Sequence, residues 1–369
     1  KVVLGAPGQT NIMNFTMIIG GESTTAANAE TAGHLEINGG VLQCGYLTIG
    51  RGNGSAVTAP TGLVSTVRIN GGQVQSTSGL YFGARLNDMS TITARPLFEM
   101  NDGVFTGPQI LCGNTAGTIR PRLIFNGGFA AFNGSSSNDV HLAVAGGCTS
   151  ETVVAGATVA VSNTVIYLAD NSATAKGVLR LNSGRLITRG IERLGSGVGE
   201  LYFNGGLLQP CLNMTLTNLS AATVQQGGCA ADVPEGLTLT VMQTLTHDAA
   251  LAGVTDGGVI KTGSGTLVLG VNQAYTGPTA VSGGVVRLIG SLAATNLTVA
   301  GGATLSLADS ANRPFAPSTF AAGDSNGNAR LEMEVAADGS ANDVLALPSG
   351  FAGSLTFRLL KTGTSVLFV

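Results

Sequence analysis

The sequence predicts an all-β fold, a parallel β-helix (β-solenoid) of roughly 13 stacked coils. Three observations support this prediction. The 369 residues include 55 glycines, 11% charged residues and no tryptophan, a composition typical of many short strands joined by glycine turns. Apolar and polar residues alternate in short runs that end in Asn-Gly-Gly or a close variant. Most of these runs recur at intervals of 22 to 32 residues, which is the length of one solenoid coil.

The repeated run accounts for the strands and the corners of the predicted coil. Residues 35–40 read LEINGG and residues 67–72 read VRINGG. Strict alternation is the period-2 signature of a half-buried strand, and a glycine lets the chain turn a corner with positive φ. A second run, LTIG at 47–50 and LYFG at 80–83, follows about a dozen residues later, so each coil is expected to carry at least two strands.

The asparagines of the repeated run are predicted to stack on one another when the coils stack. Each side-chain amide would then bond the turn of the next coil, which makes these residues a structural ladder and not ligands. The 56-residue gap in the series is expected to hold a degenerate copy near residues 154–157. The predicted ladder consists of Asn38, Asn70, Asn101, Asn126, Asn182 and Asn204.

An alternative interpretation makes each Asn-Gly pair the turn of a β-hairpin, as in a propeller or a sandwich. The sequence has no Trp-Asp blade signal and no regular period near 40 to 50 residues. The β-helix is therefore favoured over the hairpin folds.

Charge and hydropathy exclude several classes of partner. The formal net charge is −3, and acids and bases are scattered thinly with no basic stripe along the sequence, so we expect no nucleic-acid partner. No run of about 18 apolar residues occurs, so we expect no transmembrane helix. Because few residues are charged, solubility depends on Ser, Thr, Asn and Gly, as is common in exported β proteins. A signal segment is expected to have been removed.

Five cysteines are too few and too widely spaced for a disulfide-rich domain, and they show no metal-binding spacing. Cys211 and Cys229 lie 18 positions apart, which could place them on adjacent coils. They are the candidate disulfide, and buried free thiols are the alternative.

The sequence contains no recognisable catalytic pattern. The 21 acidic residues are scattered, and His34, His141 and His247 stand outside any acid-His-Ser or metalloprotease pattern. The loops at 324–328 and 338–343 contain Asp and Asn but lack the ligand patterns of known calcium motifs. We therefore expect no enzyme activity, no catalytic residue, no cofactor and no metal site.

A different repeat appears toward the C-terminus. Residues 258–288 contain KTGSGTLVL, then YTGPT, then VSGGVVRL, and residues 297–307 form a similar coil. This segment resembles the passenger-associated transport repeat of bacterial autotransporters. The resemblance implies a right-handed β-helix, export from a Gram-negative type of bacterium, and a secreted or cell-surface location.

The sequence thus predicts three parts. Residues 1–250 form a β-helix with long Asn-Gly-Gly coils, residues 251–310 form a β-helix with autotransporter-type repeats, and residues 311–369 form terminal coils or a β cap. Residues 311–369 are too few to hold the membrane-inserted part that the resemblance implies. The apolar residues 366–369 are expected to pack on another copy of the chain, head to tail.

Three functions fit these features. The first is an extracellular, non-catalytic structural or adhesive surface protein, alone or as the self-assembling subunit of a fibre, whose partners are copies of itself or cell-surface and glycan ligands. The second is a carbohydrate-binding or carbohydrate-cleaving β-helix protein that uses its lateral groove. The third is a passive spacer. Low aromatic content, 5%, and the absence of tryptophan favour the first over the second, whereas the sequence does not separate the third from the first.

Overall fold

A computed structural model describes residues 2–4, 8–13, 17–19, 32–50, 64–83, 95–113, 119–134, 139–170, 172–293, 296–311, 314–335, 343–349 and 351–361. The described residues form short parallel strands and one 3-10 turn, so the predicted parallel β-helix is confirmed. The chain divides into two compact units. Unit 1 comprises Lys1–Tyr202 and Asn218–Ala221, and unit 2 comprises Phe203–Thr217 and Ala222–Val369.

The strands of unit 1 stack in three parallel columns, so a coil has three strands where the sequence predicted at least two. The strands are β1 Val2–Leu4, β2 Thr10–Met13, β3 Met17–Ile19, β4 His34–Ile37, β5 Val41–Ile49, β6 Thr66–Ile69, β7 Gln73–Phe82, β8 Leu97–Met100, β9 Val104–Gly107, β10 Ile110–Cys112, β11 Arg122–Phe125, β12 Phe129–Phe132, β13 Val140–His141, β14 Thr149–Val161, β15 Ile166–Tyr167, β16 Lys176–Thr188, β17 Ile191–Glu192 and β18 Val198–Phe203.

One column shows how the alternating sequence produces the core. It consists of β4, β6, β8, β11, the first half of β14 and the first half of β16, each paired with the next in parallel. Leu35, Val67, Phe98 and Leu123 stand one above the next and are at most 1% exposed. Burying such a side chain contributes about 1.5–3 kcal/mol, so every coil adds to the stability of its neighbours.

Phenylalanines fill the middle of unit 1. The ring centroids of Phe98 and Phe105 are 5.4 Å apart, those of Phe98 and Phe125 are 5.7 Å apart, and those of Phe105 and Phe132 are 5.5 Å apart. These separations are typical of favourable edge and tilted aromatic contacts. These phenylalanines therefore serve the core and not the outer surface.

The second glycine of the Asn-Gly-Gly turn is required by close packing between coils. Gly72 has φ +78, and a Cβ there would lie 2.5 Å from the carbonyl oxygen of Gly40 in the preceding coil. That carbonyl accepts a hydrogen bond from the backbone N–H of Gln73 at 2.8 Å. Both the positive φ and the contact with the neighbouring backbone exclude a side chain at this corner.

The long gap in the asparagine series contains a complete coil. Val154 in β14 pairs with Phe125 in the coil before it and with Leu181 in the coil after it. Ala155 therefore occupies the position that Asn126 holds one coil earlier. The repeat continues through the gap without its asparagine.

Unit 2 repeats the same architecture with shorter strands. One column orders β20, β23, β26, β28, β30, β33 and β36 in parallel, and a second column runs through β22, β25, β27, β29, β32 and β35. The elements are β19 Leu207–Pro210, β20 Met214–Leu216, β21 Ala221–Val224, β22 Cys229–Asp232, β23 Thr238–Val241, β24 Leu245–His247, the 3-10 turn Ala249–Leu251, β25 Val259–Thr262, β26 Thr266–Leu269, β27 Thr279–Val281, β28 Val285–Leu288, β29 Asn296–Val299, β30 Thr304–Ser306, β31 Pro314–Phe315, β32 Thr319–Ala322, β33 Ala329–Val335, β34 Val344–Leu345, β35 Ala352–Gly353 and β36 Leu355–Lys361.

The predicted division at residues 250/251 and 310/311 falls inside unit 2, and the three-part scheme stays a prediction. The apolar residues 366–369, predicted to contact another copy, lie outside the described residues. Within the described part of the chain, no helix has the length and hydropathy needed to cross a membrane.

Candidate functional site

A basic groove lies in unit 1, on the outer face of the column of strands that begins with β4. Its volume is about 420 Å³. We call it the basic groove and define it by its charged and aromatic lining. That lining consists of Arg95, Arg120, Arg122, Glu151, Lys176, Arg180, Glu200 and Tyr202.

The strand register explains why these residues meet. Arg122 in β11 stands opposite Glu151 in β14, and two positions earlier Thr149 stands opposite Lys176 in β16. Arg120 lies two positions before Arg122, so in the preceding coil it stands opposite Thr149. Arg95 occupies the same position one coil before Arg120. Adjacent parallel strands are about 4.8 Å apart, so Arg95 and Lys176 are separated by roughly 14 Å along the stack.

Glu151 fixes two arginines at the centre of the basic groove. Its Oε2 accepts from Arg122 Nε at 2.8 Å and its Oε1 accepts from Arg180 Nε at 2.8 Å. Burial raises the pKa of the Glu151 carboxyl, but the hydrogen bonds and charges of Arg180 and Arg122 outweigh burial and hold it below its usual range. Glu151 is therefore ionised at neutral pH and orients both guanidinium groups.

A second set of contacts holds the other side of the basic groove. Lys176 Nζ donates to Glu200 Oε1 at 2.7 Å, and the Tyr202 hydroxyl donates to Glu200 Oε2 at 3.1 Å. The guanidinium carbon of Arg180 lies 4.2 Å from the centroid of the Tyr202 ring, a cation–π contact. The positions of Lys176 and Arg180 are thus fixed by neighbours, which lowers the entropy lost when they bind a ligand.

Several donors in the basic groove remain available. Arg95 and Arg120 are exposed and make no ion pair with any residue that the structure describes. Among the described contacts, Arg122 and Arg180 bond through Nε, so their terminal nitrogens are open to a ligand. Five cations face two carboxylates, a surplus of three positive charges in a chain whose net charge is −3. This arrangement can bind an anion with planar, paired hydrogen bonds.

The basic groove was not predicted from the sequence, because its cations are spread over residues 95–180. A charge count along the chain shows no basic stripe, whereas the stacked register creates one. One signal was present in the sequence. Arg95-Pro96 and Arg120-Pro121 precede equivalent strands, so aligning the repeats by their strands would have aligned these arginines.

The structure brings four of the six predicted ladder asparagines together. Asn70 Nδ2 donates to Asn38 Oδ1 at 2.7 Å, Asn101 Nδ2 to Asn70 Oδ1 at 2.8 Å, and Asn126 Nδ2 to Asn101 Oδ1 at 2.9 Å. The bonds join side chain to side chain, whereas the sequence analysis expected bonds from side chain to turn. Their contribution to stability stays a prediction.

The last two asparagines of the predicted ladder have other surroundings. In β16, Leu181 pairs with Val154 and Ser183 pairs with Ala155, so Asn182 is an extra residue at a bulge and leaves the register. In unit 2, Asn204 Oδ1 accepts from the backbone N–H of Gly227 at 2.8 Å. Asn204 thus bonds the turn of the following coil, and its place in a structural ladder stays a prediction.

No disulfide joins Cys211 and Cys229, both of which belong to the described residues. The register gives a reason. Leu207 pairs with Ala230, so the residue opposite Cys229 lies five positions before Cys211, about 16 Å along an extended strand. A disulfide needs Cα atoms within about 7 Å. Cys229 is buried, and burial raises the pKa of its thiol to about 12.

The structure places two histidines beside carboxylates, which the sequence analysis did not expect. His141 Nδ1 lies 2.9 Å from Asp170 Oδ1, and His247 Nδ1 lies 2.9 Å from Asp256 Oδ2. Thr276 Oγ1 also lies 3.0 Å from His247 Nδ1. A catalytic triad needs the hydroxyl at one ring nitrogen and the carboxylate at the other, and here both are at Nδ1.

Asp256 is a structural node. Its side chain is fully buried and accepts from the backbone N–H groups of Thr276, Gly258 and Gly277 at 2.7, 2.9 and 2.8 Å. Burial raises the pKa of Asp256, but these N–H groups and His247 outweigh burial and lower it. The carboxylate therefore stays ionised and fixes the turn that contains Thr276.

Three acidic residues near the C-terminal end of the described chain have structural contacts. Asp324 Oδ1 accepts from Asn326 N at 2.7 Å in a local turn, and Glu332 Oε1 accepts from Arg358 Nη1 at 2.7 Å. Asp343 Oδ2 accepts from Glu334 N at 2.6 Å, while residues 338–342 of the second loop lie outside the described residues. No group of three or more metal-ligating side chains occurs in the described ranges.

The fold and the basic groove define a β-solenoid repeat protein with a charged surface formed by successive coils. The family model described as the passenger-associated-transport-repeat matches residues 259–288. Over 133 residues the chain is 34% identical to the adhesin BmaC autotransporter of Brucella suis biovar 1 (strain 1330). Residues 259–288 thus carry a passenger-associated-transport-repeat, and part of the chain is similar to a bacterial autotransporter adhesin.

The comparison covers part of each protein. The matched residues make up 36% of this chain and 4% of the Brucella adhesin. No solved structure matches the chain.

Proposed function

We propose that the chain is part of an extracellular, non-catalytic adhesive surface protein that a bacterium exports by the autotransporter type of route. The observation that carries this proposal is the 34% identity to a protein named as an adhesin. The passenger-associated-transport-repeat at residues 259–288 supports export to the cell surface. The low charge and the many short polar strands agree with a protein that works outside the cell.

The basic groove is the proposed adhesive surface. It lies on the outer face of stacked strands, so a large ligand on another cell can reach it. Its guanidinium and ammonium groups are held by Glu151 and Glu200, which preorganises them for a partner. The partner would be a cell-surface ligand that carries negative charge.

Adhesion is tested with beads coated with the purified chain. We expect the beads to attach to epithelial cells in a saturable manner, and we expect soluble chain to compete. Beads coated with albumin at the same density are the control. Attachment equal to that of the albumin beads contradicts the proposal.

Protease treatment of intact bacteria, followed by blotting, tests the proposed location, because a surface protein is cleaved while a cytoplasmic control is not.

Self-association, head to tail, is a second candidate that one observation favours. In β36, Phe357 and Leu359 continue the inner rows of Leu331 and Met333. Leu331 and Met333 are at most 8% exposed, whereas Phe357 is 52% and Leu359 is 44% exposed. No described strand pairs with the other side of β36, so a strand from a second copy could cover it. Electron microscopy over a concentration series tests this, because self-association predicts filaments of uniform width.

A further inference from the structure

We propose that the ligand of the basic groove is a linear acidic polysaccharide whose chain runs along the coil stack. This inference rests on the proposed adhesive function and specifies its ligand. The recognised groups are carboxylates or sulfates on successive sugars. Arg95, Arg120 and Lys176 would meet these groups in turn, while the polar side chains between them would contact sugar hydroxyls.

The direction of the polysaccharide follows from the register. Arg95, Arg120, Thr149 and Lys176 occupy the same position in four successive coils, so the cations form a row along the stack of roughly 14 Å. Within a single coil the cations reach less far, because Arg122 and Arg120 are two positions apart on one side of the strand. A linear polyanion therefore meets more cations along the stack than across it.

The mixed lining favours an acidic sugar over other polyanions. Glu151 and Glu200 lie between the cations, so the mixed lining fits a polymer whose charges are separated by neutral hydroxyls better than a continuous row of phosphates. Carboxylates accept hydrogen bonds from sugar hydroxyls, which nucleic-acid backbones and lipid headgroups offer less densely. The Tyr202 ring already contacts the guanidinium of Arg180 at 4.2 Å, so it is not an open platform for stacking bases.

The shape of the site also argues against a membrane surface. Binding to an anionic bilayer needs apolar side chains that enter the headgroup region beside the cations. The exposed large apolar side chains of the described residues do not include any lining residue of the basic groove. Its apolar members Pro121 and Val178 are buried in the strands. A concave groove with charged walls fits one polymer chain better than a flat lipid surface.

Binding is measured by isothermal titration at about 0.15 M salt, where charges further apart than about 8 Å are largely screened. The probes are a heparin-derived hexasaccharide and disaccharide, a hyaluronan hexasaccharide, neutral chitohexaose, oligothymidylate and phosphatidylserine vesicles. We expect an acidic hexasaccharide to bind at least about tenfold more tightly than the disaccharide, because only the longer chain spans the row. Neutral chitohexaose should give no detectable heat.

The double variant Arg95→Ala/Arg120→Ala locates the site. Both side chains are exposed and have no ion pair with a described residue, so the variant should fold as the wild type does. We expect the affinity for the acidic hexasaccharide to fall at least about tenfold, because two charge-assisted contacts are lost. The matched control is Arg189→Ala/Arg330→Ala, which removes the same charge from exposed arginines outside the basic groove and should change affinity less than about twofold.

Three results would overturn the inference. They are no binding of either acidic hexasaccharide, equally tight binding of oligothymidylate or vesicles, and unchanged binding by Arg95→Ala/Arg120→Ala. The bead assay separates this inference from the proposed function. Beads that attach although no acidic glycan binds would leave adhesion standing and refute the ligand class. Binding of acidic glycan without attachment would refute adhesion and leave the groove's ligand standing.

Discussion

Asn101 occupies the middle of the asparagine ladder. Its Nδ2 donates to Asn70 Oδ1 and its Oδ1 accepts from Asn126 Nδ2. Asn101→Ala removes both bonds, and the neighbours can turn to water because the ladder is exposed. We expect a loss of about 1 kcal/mol in the free energy of unfolding, measured by urea denaturation. Asn182→Ala is the control and should be close to neutral, since the bulge places Asn182 outside the ladder. Equal effects of the two substitutions would refute a stabilising ladder.

Thr152 illustrates the cost of a buried polar group. Its Oγ1 is buried without a hydrogen-bond partner among the described residues, beside an apolar void of about 20 Å³ lined by residues such as Phe125 and Val154. A water there would lack the two or more polar partners that it needs. We expect Thr152→Val to raise the free energy of unfolding by about 1 kcal/mol, because it removes an unsatisfied hydroxyl and keeps the shape.

Thr188→Val is the matched control for Thr152→Val. Thr188 is also buried, but its Oγ1 donates to the carbonyl oxygen of Gly190 at 3.0 Å and accepts from its N–H at 3.2 Å. The same substitution there should lower the free energy of unfolding by about 1–3 kcal/mol. If both substitutions destabilise the chain, the Thr152 hydroxyl has a partner that the structure does not show.

At the scale of single elements, Lys261 is the centre of the passenger-type coil. It is fully buried, and its Nζ donates to the carbonyl oxygens of Thr262, Gly263 and Gly283 at 2.6, 2.7 and 3.2 Å. The lysine therefore ties the turn after β25 to the equivalent turn one coil later. Lys261→Met would remove this donor from all three carbonyls, of which only that of Thr262 also accepts from the backbone N–H of Val233 among the described contacts, and we expect a loss of about 2 kcal/mol at pH 7.

The pH dependence of this coil follows from the same lysine. Burial lowers the pKa of Lys261 to about 8 from 10.5, although the nearby charge of Asp232 raises it. Between these two pH values the unfolded chain binds the proton and the folded chain does not, so stability from this group rises with pH. We expect the free energy of unfolding of the wild type, relative to Lys261→Met, to increase by about 1–2 kcal/mol between pH 7.5 and 9.5. If the difference in the free energy of unfolding between the wild type and Lys261→Met instead becomes smaller as the pH rises, the buried ammonium itself stabilises the fold.

The elements that could be predicted from the sequence are those with a local signature. Alternation in LEINGG and VRINGG predicts strands, and the glycine after Asn-Gly predicts a corner, because both depend on a few adjacent residues. The pairing register between coils has no such local signature. One extra residue in β16 moves Asn182 out of the ladder, and the pairing of Leu207 with Ala230 separates Cys211 from Cys229. The basic groove was missed for the same reason, because its charges become neighbours through stacking alone.

At the scale of the whole molecule, the edge of β36 that no described strand covers is the surface proposed for head-to-tail self-association. Phe357 and Leu359 lie on the inner face of a strand that has β33 on one side and no described strand on the other. Native proteins protect such edges, or use them to pair with another chain. The exposed side chains on its inner face, Phe357 and Leu359, are apolar, which favours pairing over protection.

Two charge substitutions test self-association through this edge. Phe357→Lys places a charge on the inner face, where a second copy would have to bury it, so association should weaken at least about tenfold. Thr356→Lys is the matched control, because it adds the same charge to the exposed outer face of the same strand. Sedimentation velocity over a concentration series measures both. If Thr356→Lys weakens association as much as Phe357→Lys does, the effect is due to net charge and not to the inner face. If the wild type stays monomeric at every concentration, the head-to-tail polymer is refuted and a monomeric adhesive domain remains.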